Sequence, residues 1–151
     1  MKITPSKVNF FMLFKLPLAY FAGVRVVEFD KKSAIVKITH RWVNQNPFKS
    51  MFWAAQGMAA EMSTAILVMN VIENSDKKFS MLVTNQKASF TKKATGKIRF
   101  ECHNGDLVAN AIQESIKTGE GQVITMKSEG FNLDGVSVCD FYFEWSLKVK
   151  N

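Results

Sequence analysis

Histidine and cysteine, which often bind metals or act as nucleophiles, are scarce in this chain. Its 151 residues include two histidines and two cysteines. His40 and His103 have no partner at metal-ligand spacing, and Cys102 and His103 are adjacent on a predicted strand, so their side chains point to opposite faces. The sequence therefore predicts no zinc site. Cys102 and Cys139 could pair, but two thiols in a chain with an adequate core favour free, buried side chains and a reducing cytoplasm.

Glycine-dependent catalytic motifs are missing as well. The sequence contains no GxSxG elbow and no glycine-rich phosphate loop, since Gly119 and Gly121 alone are a weak signal. A serine triad that uses His40 or His103 is therefore disfavoured. There is also no internal repeat and no low-complexity tract. With 47% hydrophobic residues, the chain predicts a single globular domain over residues 1–151 that buries its own core.

Acidic residues are outnumbered by basic ones, 13 against 20, which gives a formal net charge of +7. This balance favours an anionic ligand such as nucleic acid, a phosphorylated cofactor or an anionic membrane surface. The densest basic group is Lys92, Lys93, Lys97 and Arg99, and it lacks the interleaved aromatic residues on which bases stack. We therefore expect no nucleic-acid partner, and a solvated basic face is the simplest interpretation of the lysines.

The longest apolar run, from Met51 to Ile72, is long enough to cross a bilayer. It contains one acid, Glu61, whose insertion at mid-membrane would cost about 2.5 to 3.5 kcal/mol. Further polar residues interrupt the run at Gln56, Ser63, Thr64 and Asn70. We therefore expect no membrane span but a helix that is buried on most of its circumference inside a domain.

The N-terminal stretch VNFFMLFKLPLAYFAG follows two lysines and is similar to a secretory signal peptide with a small-residue end. Lys15 and Pro17 interrupt its apolar run. An amphipathic first helix over residues 6–14 is therefore the preferred interpretation, with secretion as the alternative.

The rest of the chain alternates in the manner of β-strands. VRVVEFD and AIVKITH predict a hairpin with its turn at residues 30–33. Four further segments alternate apolar with polar residues and are bounded by Gly, Asn or Asp. They are FSMLVTNQKASFTKK, GKIRFECHN, GEGQVITMKSEGFN and GVSVCDFYFEWSLKVK. Residues 105–119 have helical spacing and end at Gly119. The prediction is an α+β fold in which an antiparallel sheet of about six strands wraps around the long central helix, preceded by an N-terminal helix.

The long helix is rich in small residues, which would let the backbones of helix and sheet approach each other: Ala54, Ala55, Gly57, Ala59, Ala60 and Ala65. A sheet with one bare edge and a narrow core favours pairing with a second copy. We therefore expect a homodimer, with a tetramer as the alternative.

Three motifs in this order resemble a known family. LPLAYFAGVRVVEFDKKSAIVKI is similar to its opening, in which a helix leads through a glycine into the first hairpin. NQKASFTKKATGKIRFEC resembles its strand, basic-alanine turn, glycine and strand, and DGVSVCDFYFEWSLK its terminal strand. The family is that of the hotdog-fold thioesterases, specifically the phenylacetyl-CoA thioesterase-like branch and its uncharacterised relatives, and the resemblance runs from about residue 16 to residue 148.

The resemblance implies a catalytic site at the start of the long helix. In that branch an asparagine precedes a His-Gly-Gly turn and an acid follows within the helix, and Asn46 and Glu61 stand at matching spacing. Glu61 is thereby implied as general base or nucleophile and Asn46 as a positioning group. Where His-Gly-Gly is expected, the chain has Phe52, Trp53 and Ala54. The backbone N–H groups of Trp53 and Ala54 remain candidates for an oxyanion hole, because the first turn of any helix leaves donors free.

The implied substrate is an acyl thioester of coenzyme A or of acyl carrier protein, with coenzyme A entering only as part of the substrate and no separate cofactor. Hydratases with this fold use an aspartate and histidine pair near the helix start, and neither residue is present there. The candidate substrate-binding residues are Phe52, Thr84, Asn85, Lys92, Lys93 and Lys97, the lysines for cofactor phosphates.

Two alternatives stay open at this point. Glu61 could be satisfied structurally by a hydroxyl, a backbone donor or a lysine of a neighbouring chain. The bulky Phe52 and Trp53 favour a rival function, a non-catalytic acyl-binding or regulatory module. If Trp53 and Glu61 act on one carbonyl, they must come from different chains, because eight residues of helix separate them by about 12 Å. An obligate dimer with two shared sites, in which Asn46 faces Glu61 of the partner subunit, is then expected.

Overall fold

The computed structural model describes residues 3–151. Its elements follow the predicted order of helix, two strands, long helix and further strands, with one helix between the later strands. The elements are α1 (Pro5–Lys15), α2 (Pro17–Ala22), β1 (Arg25–Phe29), β2 (Ala34–Thr39), a 3₁₀ turn (Trp42–Asn44), α3 (Trp53–Glu73), β3 (Phe79–Phe90), β4 (Lys97–Cys102), α4 (Gly105–Thr118), β5 (Gln122–Phe131) and β6 (Ser137–Val149).

The six strands form one antiparallel sheet in the order β1-β2-β4-β5-β6-β3, which confirms the predicted sheet. β1 and β2 pair as the predicted hairpin, and in its turn the N–H of Asp30 donates to the carbonyl of Ser33 at 2.9 Å. After α3 the chain crosses to the far edge, where β3 pairs with β6. Because β3 is outermost, its second edge has no strand partner within residues 3–151.

α3 packs across one face of this sheet, and its small residues do allow a close approach. Ala55, Ala59 and Ala60 are buried, and a Cβ added at Gly57 would lie 3.4 Å from the Phe141 ring on β6. Two polar pairs form hydrogen bonds across the same interface. The hydroxyls of Ser63 and of Ser128 on β5 are 2.7 Å apart, and the indole N–H of Trp145 on β6 donates to the hydroxyl of Thr64 at 3.0 Å. The buried hydroxyls of this apolar helix, those of Ser63 and Thr64, are thus partnered across the core.

By length and composition α3 is also the one helix within residues 3–151 that could cross a membrane. More than half of its most apolar window, 56%, is buried inside the domain. The helix therefore forms the core of this fold, as the sequence predicted.

α1 covers the outer part of the sheet near β1. Val8 and Met12 are buried, and the side chain of Asn9 pairs with the backbone of Val26 through bonds of 3.0 and 2.9 Å. The predicted helix is confirmed, but its expected amphipathic character is wrong. Its solvent side carries exposed phenylalanines, Phe10 and Phe14, as well as polar residues.

α4 ends at Gly119, which adopts a left-handed conformation with φ 75°, as expected for a glycine that closes a helix. Buried hydrophobic residues from the four α-helices and from every strand except β3 form one cluster, and partly buried residues of β3 pack against it. The single domain over residues 1–151 stays a prediction, and residues 1 and 2 lie outside the described residues.

Candidate functional site

The loop that leads into α3 is fixed by a buried asparagine. Asn44 is 3% exposed, and its Nδ2 donates to the carbonyls of Ala22 and Thr39, each at 2.9 Å. Its Oδ1 accepts the N–H of Arg41 at 3.0 Å, and its carbonyl accepts the N–H of Phe52 at 2.8 Å. A buried polar side chain is stable only with such partners, so this residue ties the start of α3 to α2 and β2.

Asn46, the implied positioning group, builds the same loop. Its Nδ2 donates to Ser50 Oγ at 3.0 Å and to the Met51 carbonyl at 3.3 Å. Its Oδ1 accepts the N–H groups of Phe48 at 2.9 Å and Ser50 at 3.3 Å. Because both ends of the amide are engaged, Asn46 must exchange one of these bonds before it can orient a water or a thioester. Its catalytic role stays a prediction.

The same loop contains a strained residue and is tied to the chain after β3. Lys49 has φ 60°, a left-handed conformation that costs a residue with a side chain about 1 to 2 kcal/mol. The N–H of Met51 donates to the carbonyl of Ala94 at 2.8 Å, and Lys93 Nζ donates to the carbonyl of Phe48 at 3.1 Å. These bonds hold the strained conformation and bring the basic segment beside the helix start.

The N-terminus of α3 presents two unpaired donors. The N–H groups of Ala55 and Gln56 donate to the carbonyl of Phe52 at 3.0 and 3.2 Å, whereas those of Trp53 and Ala54 have no acceptor within residues 3–151. The residue before the helix, Phe52, provides no side-chain cap. The partial positive charge of the helix dipole acts at the same point. This geometry suits an oxyanion, and the role of these two amides in an oxyanion hole stays a prediction.

A cleft of about 640 Å³ lies at this helix terminus and is lined by residues 46–48, 50–53, 56 and 90–94. Its size falls within the range of small-molecule sites, and most of its lining is apolar. Phe52 and Trp53 contact each other edge to face, with ring centroids 6.0 Å apart, and both are about half exposed. The aromatic pair therefore forms a wall of the cleft and leaves the space beside the free amides open. Lys92 and Lys93 line the same cleft.

Gln56 contributes the one buried polar atom of this cleft that lacks a partner within residues 3–151. The residue is 5% exposed, and its Nε2 donates to the carbonyl of Met51 at 3.2 Å. This bond fixes the orientation of the amide, so Oε1 is the atom left without a hydrogen-bond donor. An unpaired buried acceptor is costly, and here it lies beside a cleft whose ligands could supply the donor.

Glu61 lies on α3 about 12 Å from Trp53 along the helix axis, too far for both groups to act on one carbonyl within a chain. The expectation of a buried carboxylate is wrong for the single chain: Glu61 is exposed, because the sheet covers the opposite side of the helix. It shares an open stripe with the half-buried Ala54 and Met58. Its carboxylate has no hydrogen-bond or ionic partner within residues 3–151, and the surrounding protein raises its pKa above the ordinary value by desolvation.

Thr84 and Asn85, which the sequence offers as substrate-binding residues, do not lie beside the helix. Asn85 pairs with Glu144, which alternates along β6 with Trp145, the residue that contacts α3. A bulge at Thr84 turns its hydroxyl to the same outer side, where it donates to Glu144 Oε1 at 2.7 Å. Both residues therefore lie on the face of the sheet opposite α3.

The remaining predicted phosphate ligand, Lys97, is separated from the other two. It is exposed at the start of β4, opposite Thr39, and does not line the cleft. The structure thus brings together Asn46, Phe52, Trp53, Lys92 and Lys93, and leaves Glu61 and Lys97 outside this group.

Sequence reasoning missed the residues of the cleft that come from the end of β3. Phe90 and Thr91 line it, and the Phe90 ring packs edge to face on Phe141 at 5.6 Å. Their position depends on the register of β3 against β6, which no local pattern specifies. Gln56 also lies outside the site that the sequence predicts. The signal that could have singled it out is its place one turn into the helix, directly behind the free amides.

A second depression of about 650 Å³ lies at the opposite end of α3 and is lined by Asp30, Asn70, Asp76 and neighbouring residues. Its lining includes three acids, Asp30, Glu73 and Asp76, against one base, Lys31, and it lies at the negative end of the helix dipole, which makes it unfavourable for an oxyanion or a phosphate. The amide end of α3 is therefore the better candidate site.

The two cysteines do not provide a nucleophile. Both are buried and unpaired, as the sequence predicted. Burial raises the pKa of Cys102 to about 11 and that of Cys139 to about 12. At neutral pH these thiols are protonated and therefore unreactive.

Several solved structures share this fold over nearly the whole chain. A Pseudomonas aeruginosa protein of unknown function, described as a probable thioesterase, superposes with a TM-score of 0.82 at 16% identity, covering 97% of each chain. A Chlorobaculum tepidum protein of unknown function gives 0.82 at 20% identity, covering 99% of each. The Escherichia coli PaaI protein of the phenylacetic acid degradation operon gives 0.64 at 12% identity, covering 93% of this chain and 96% of that one. These similarities confirm the predicted hotdog fold.

None of the curated proteins matches the sequence. Residues 6–146 match the family described as Domain of unknown function (DUF4442), which spans every element from α1 to the greater part of β6. The protein therefore belongs to the DUF4442 family.

Proposed function

We propose that the protein hydrolyses an acyl thioester of coenzyme A or of acyl carrier protein. The observation that carries this proposal is the pair of unpaired N–H groups in the first turn of α3, those of Trp53 and Ala54, of which Trp53 lines an apolar cleft. Such donors stabilise the negative charge that develops on a thioester oxygen when its carbonyl is attacked. The thioesterase-like fold supports the same reaction class.

In the proposed reaction a water molecule attacks the thioester carbon while Glu61 accepts the proton of that water. The carbon–sulfur bond then breaks, the acid is released, and the proton passes to the leaving thiolate. Direct attack by the carboxylate is the alternative route, with water then cleaving the acyl-enzyme. Asn46 would orient the water or the thioester, and Lys92 and Lys93 would hold the phosphates of coenzyme A. Coenzyme A enters with the substrate, and no resident cofactor is required.

The proposal requires two chains. Trp53 and Glu61 lie about 12 Å apart on one helix, so a single site needs the amides of one subunit and Glu61 of the partner subunit. Two features support such a homodimer: the unpaired edge of β3 and the open stripe of Ala54, Met58 and Glu61 along α3. The desolvation that already raises the Glu61 pKa would increase under a partner.

The two buried, unpaired thiols support placement in a reducing compartment, and we propose the cytoplasm. Phosphorylated substrates such as coenzyme A esters suit the excess of basic residues, a formal net charge of +7.

A non-catalytic acyl-binding module is the second candidate. It is favoured by one observation, the engagement of both ends of the Asn46 amide within its own loop. In that case the cleft would bind the acyl thioester, and no group would be positioned to activate water.

A panel of coenzyme A esters from short aliphatic to aryl separates the two functions, with hydrolysis followed by thiol release and binding measured in parallel by calorimetry. We expect turnover of at least one ester. Tight binding of an ester without turnover would select the acyl-binding module, and neither binding nor turnover across the panel would reject both functions for coenzyme A esters.

A further inference from the structure

The solvent side of α1 carries an aromatic stripe that the proposed reaction does not use. Phe10 is 67% exposed and Phe14 is 64% exposed, and their rings contact each other with centroids 5.1 Å apart. Val8 and Met12, on the opposite side of the helix, are buried at 4% and 0%. α1 therefore packs on the core through Val8 and Met12, and the exposed phenylalanines take no part in that packing.

The same apolar character continues across α2 and the 3₁₀ turn. Leu18 is 76% exposed, Phe21 62% and Trp42 83%. The guanidinium of Arg41 donates to the carbonyl of Phe21 at 3.0 Å, which holds the 3₁₀ turn against the end of α2. We call Phe10, Phe14, Leu18, Phe21 and Trp42 the N-terminal apolar surface. Exposed apolar groups of this extent usually mark an interaction site.

The segments that carry this surface contain bases but no acids. Residues 3–27 and 40–60 contain no Asp or Glu, but they include Lys15, Arg25 and Arg41. Arg25 stacks on the Tyr20 ring at 3.7 Å, so its charge is held beside α2. Aromatic side chains flanked by bases, without acids, have the composition of a segment that lies in the interface of an anionic bilayer.

The position of the surface makes a second copy of the chain a poor occupant. α1 packs on β1, at one edge of the sheet, whereas the edge strand proposed to pair with a second copy is β3, at the other. A two-fold contact through the N-terminal apolar surface would also bring Lys15, Arg25 and Arg41 of the two copies close together, and residues 3–27 and 40–60 supply no acid to pair them. Like charges that face each other oppose such a contact.

We propose that the N-terminal apolar surface docks the protein on an anionic membrane surface. Phe10, Phe14, Leu18, Phe21 and Trp42 enter the boundary between headgroups and acyl chains, and the neighbouring bases contact the anionic headgroups. No helix crosses the bilayer in this arrangement, since α3 stays in the core. The inference does not depend on the hydrolase activity, because it uses none of the residues of the cleft.

Co-sedimentation of the full chain with phosphatidylcholine vesicles, with and without phosphatidylglycerol, tests the proposal. We expect binding that requires phosphatidylglycerol and weakens as salt is raised. The double variant Phe10→Ser, Phe14→Ser is expected to bind at least about tenfold more weakly, and Lys15→Gln about fivefold more weakly. The matched control is Leu133→Ser, which removes a side chain that is 78% exposed in the turn before β6 and is expected to bind as the unaltered chain does.

Fluorescence of the unaltered chain gives a second readout that does not depend on variants folding. Brominated acyl chains are expected to quench tryptophan emission, and Trp42→Phe is expected to remove most of that quenching. Absence of binding to anionic vesicles at low salt overturns the proposal, as does equal binding by the double variant and the control. A change in oligomeric state of the double variant, without vesicle binding by the unaltered chain, would assign the surface to a second copy instead. Binding to an acidic carrier protein but not to vesicles would assign it to that protein.

Discussion

Glu61 is the one carboxylate on the open stripe of α3, and it has no hydrogen-bond or ionic partner within residues 3–151. If it is the general base, Glu61→Gln keeps the shape of the side chain and removes its capacity to accept a proton. We expect hydrolysis to fall by about 10² to 10⁴ while the circular dichroism spectrum is unchanged. Hydrolysis at the original rate would refute the catalytic role and leave Glu61 a solvated residue.

The raised pKa of Glu61 also predicts a pH dependence of stability. Its pKa is raised above 4.5 in the folded chain because desolvation disfavours the carboxylate. The protonated form therefore favours the folded state, and this contribution is complete below pH 4.5 and is lost as the pH rises through the folded-state pKa. We expect Glu61→Gln to melt at a higher temperature than the unaltered chain at neutral pH and at the same temperature in acid. A difference in melting temperature that grows on acidification would contradict the assigned direction.

The lysines offer a charge test with a control built into the chain. Lys92 and Lys93 line the cleft, whereas Lys97 does not. We expect Lys92→Gln with Lys93→Gln to weaken binding of a coenzyme A ester and to flatten its salt dependence, because fewer phosphate contacts remain. Lys97→Gln removes one positive charge, as each of the other two substitutions does, and is expected to leave the affinity for the ester nearly unchanged. Equal losses from both changes would indicate a long-range effect of net charge instead of a phosphate site.

At the scale of single residues, the sequence predicts which groups are candidates for the site better than it predicts their exposure and hydrogen bonds. Trp53 and Ala54 could be assigned free amides because every helix begins with unpaired donors. The exposure of Glu61 could not be predicted, since it depends on which side of α3 the sheet covers. The engagement of Asn46 depends on a loop held in a left-handed conformation at Lys49, and lysine gives no signal for that conformation.

At the scale of elements, α3 and the sheet are joined by a buried polar contact. The indole N–H of Trp145 donates to the hydroxyl of Thr64, and that hydroxyl donates to the carbonyl of Glu61 at 2.8 Å. Thr64→Val keeps the shape but leaves the buried indole without an acceptor, so we expect the free energy of unfolding to fall by about 1 to 3 kcal/mol. Thr84→Val, on the exposed face of β3, is the matched control and is expected to change it by less than about 0.5 kcal/mol. If urea unfolding gives similar losses of free energy for Thr64→Val and Thr84→Val, the buried contact stabilises the fold no more than the exposed one does.

Element boundaries were predicted well wherever a local period identified them. The spacing of apolar residues in α4 and its closing Gly119 specify a helix, and the β1–β2 turn follows from Asp30, whose Oδ1 accepts the N–H groups of Lys32 and Ser33. The path of β3 was not predicted, because its pairing with β6 joins residues far apart in the chain. The bulge at Thr84 reverses which side chains face α3, and alternation alone does not reveal it.

At the scale of the molecule, the sheet has two different edges. The β3 edge has no strand partner within residues 3–151, and β3 carries the exposed Leu82, whereas the β1 edge is flanked by α1 and the N-terminal apolar surface. Pairing of two chains through β3 would leave both N-terminal apolar surfaces available to a membrane. Edge strands of this length seldom remain unpaired in solution. The two proposed contacts are therefore compatible in one assembly.

The oxyanion amides can be tested because proline is tolerated at the first position of a helix. Trp53 occupies that position, its N–H has no acceptor within residues 3–151, and Phe52 has φ −59° and ψ 135°, a conformation that a residue before proline adopts. Trp53→Pro thus removes a donor without removing a hydrogen bond, and we expect hydrolysis to fall by about 10² to 10³. Trp53→Ala loses the same side chain but keeps the N–H, and it is the matched control for the rate.

A shared site makes a prediction about mixed dimers that a site within one chain does not. Trp53→Pro chains and Glu61→Gln chains are each expected to be inactive as homodimers. In a mixed dimer one site combines the altered amide with the altered acid, and the other combines the intact amides of the Glu61→Gln chain with the intact Glu61 of the Trp53→Pro chain. We therefore expect mixing under conditions of subunit exchange to restore activity, with each mixed dimer approaching about half the rate of the unaltered dimer. If exchange is demonstrated by mass spectrometry and no activity returns, or if a monomer is active at the assay concentration, amide and acid belong to the same chain and the shared site is refuted.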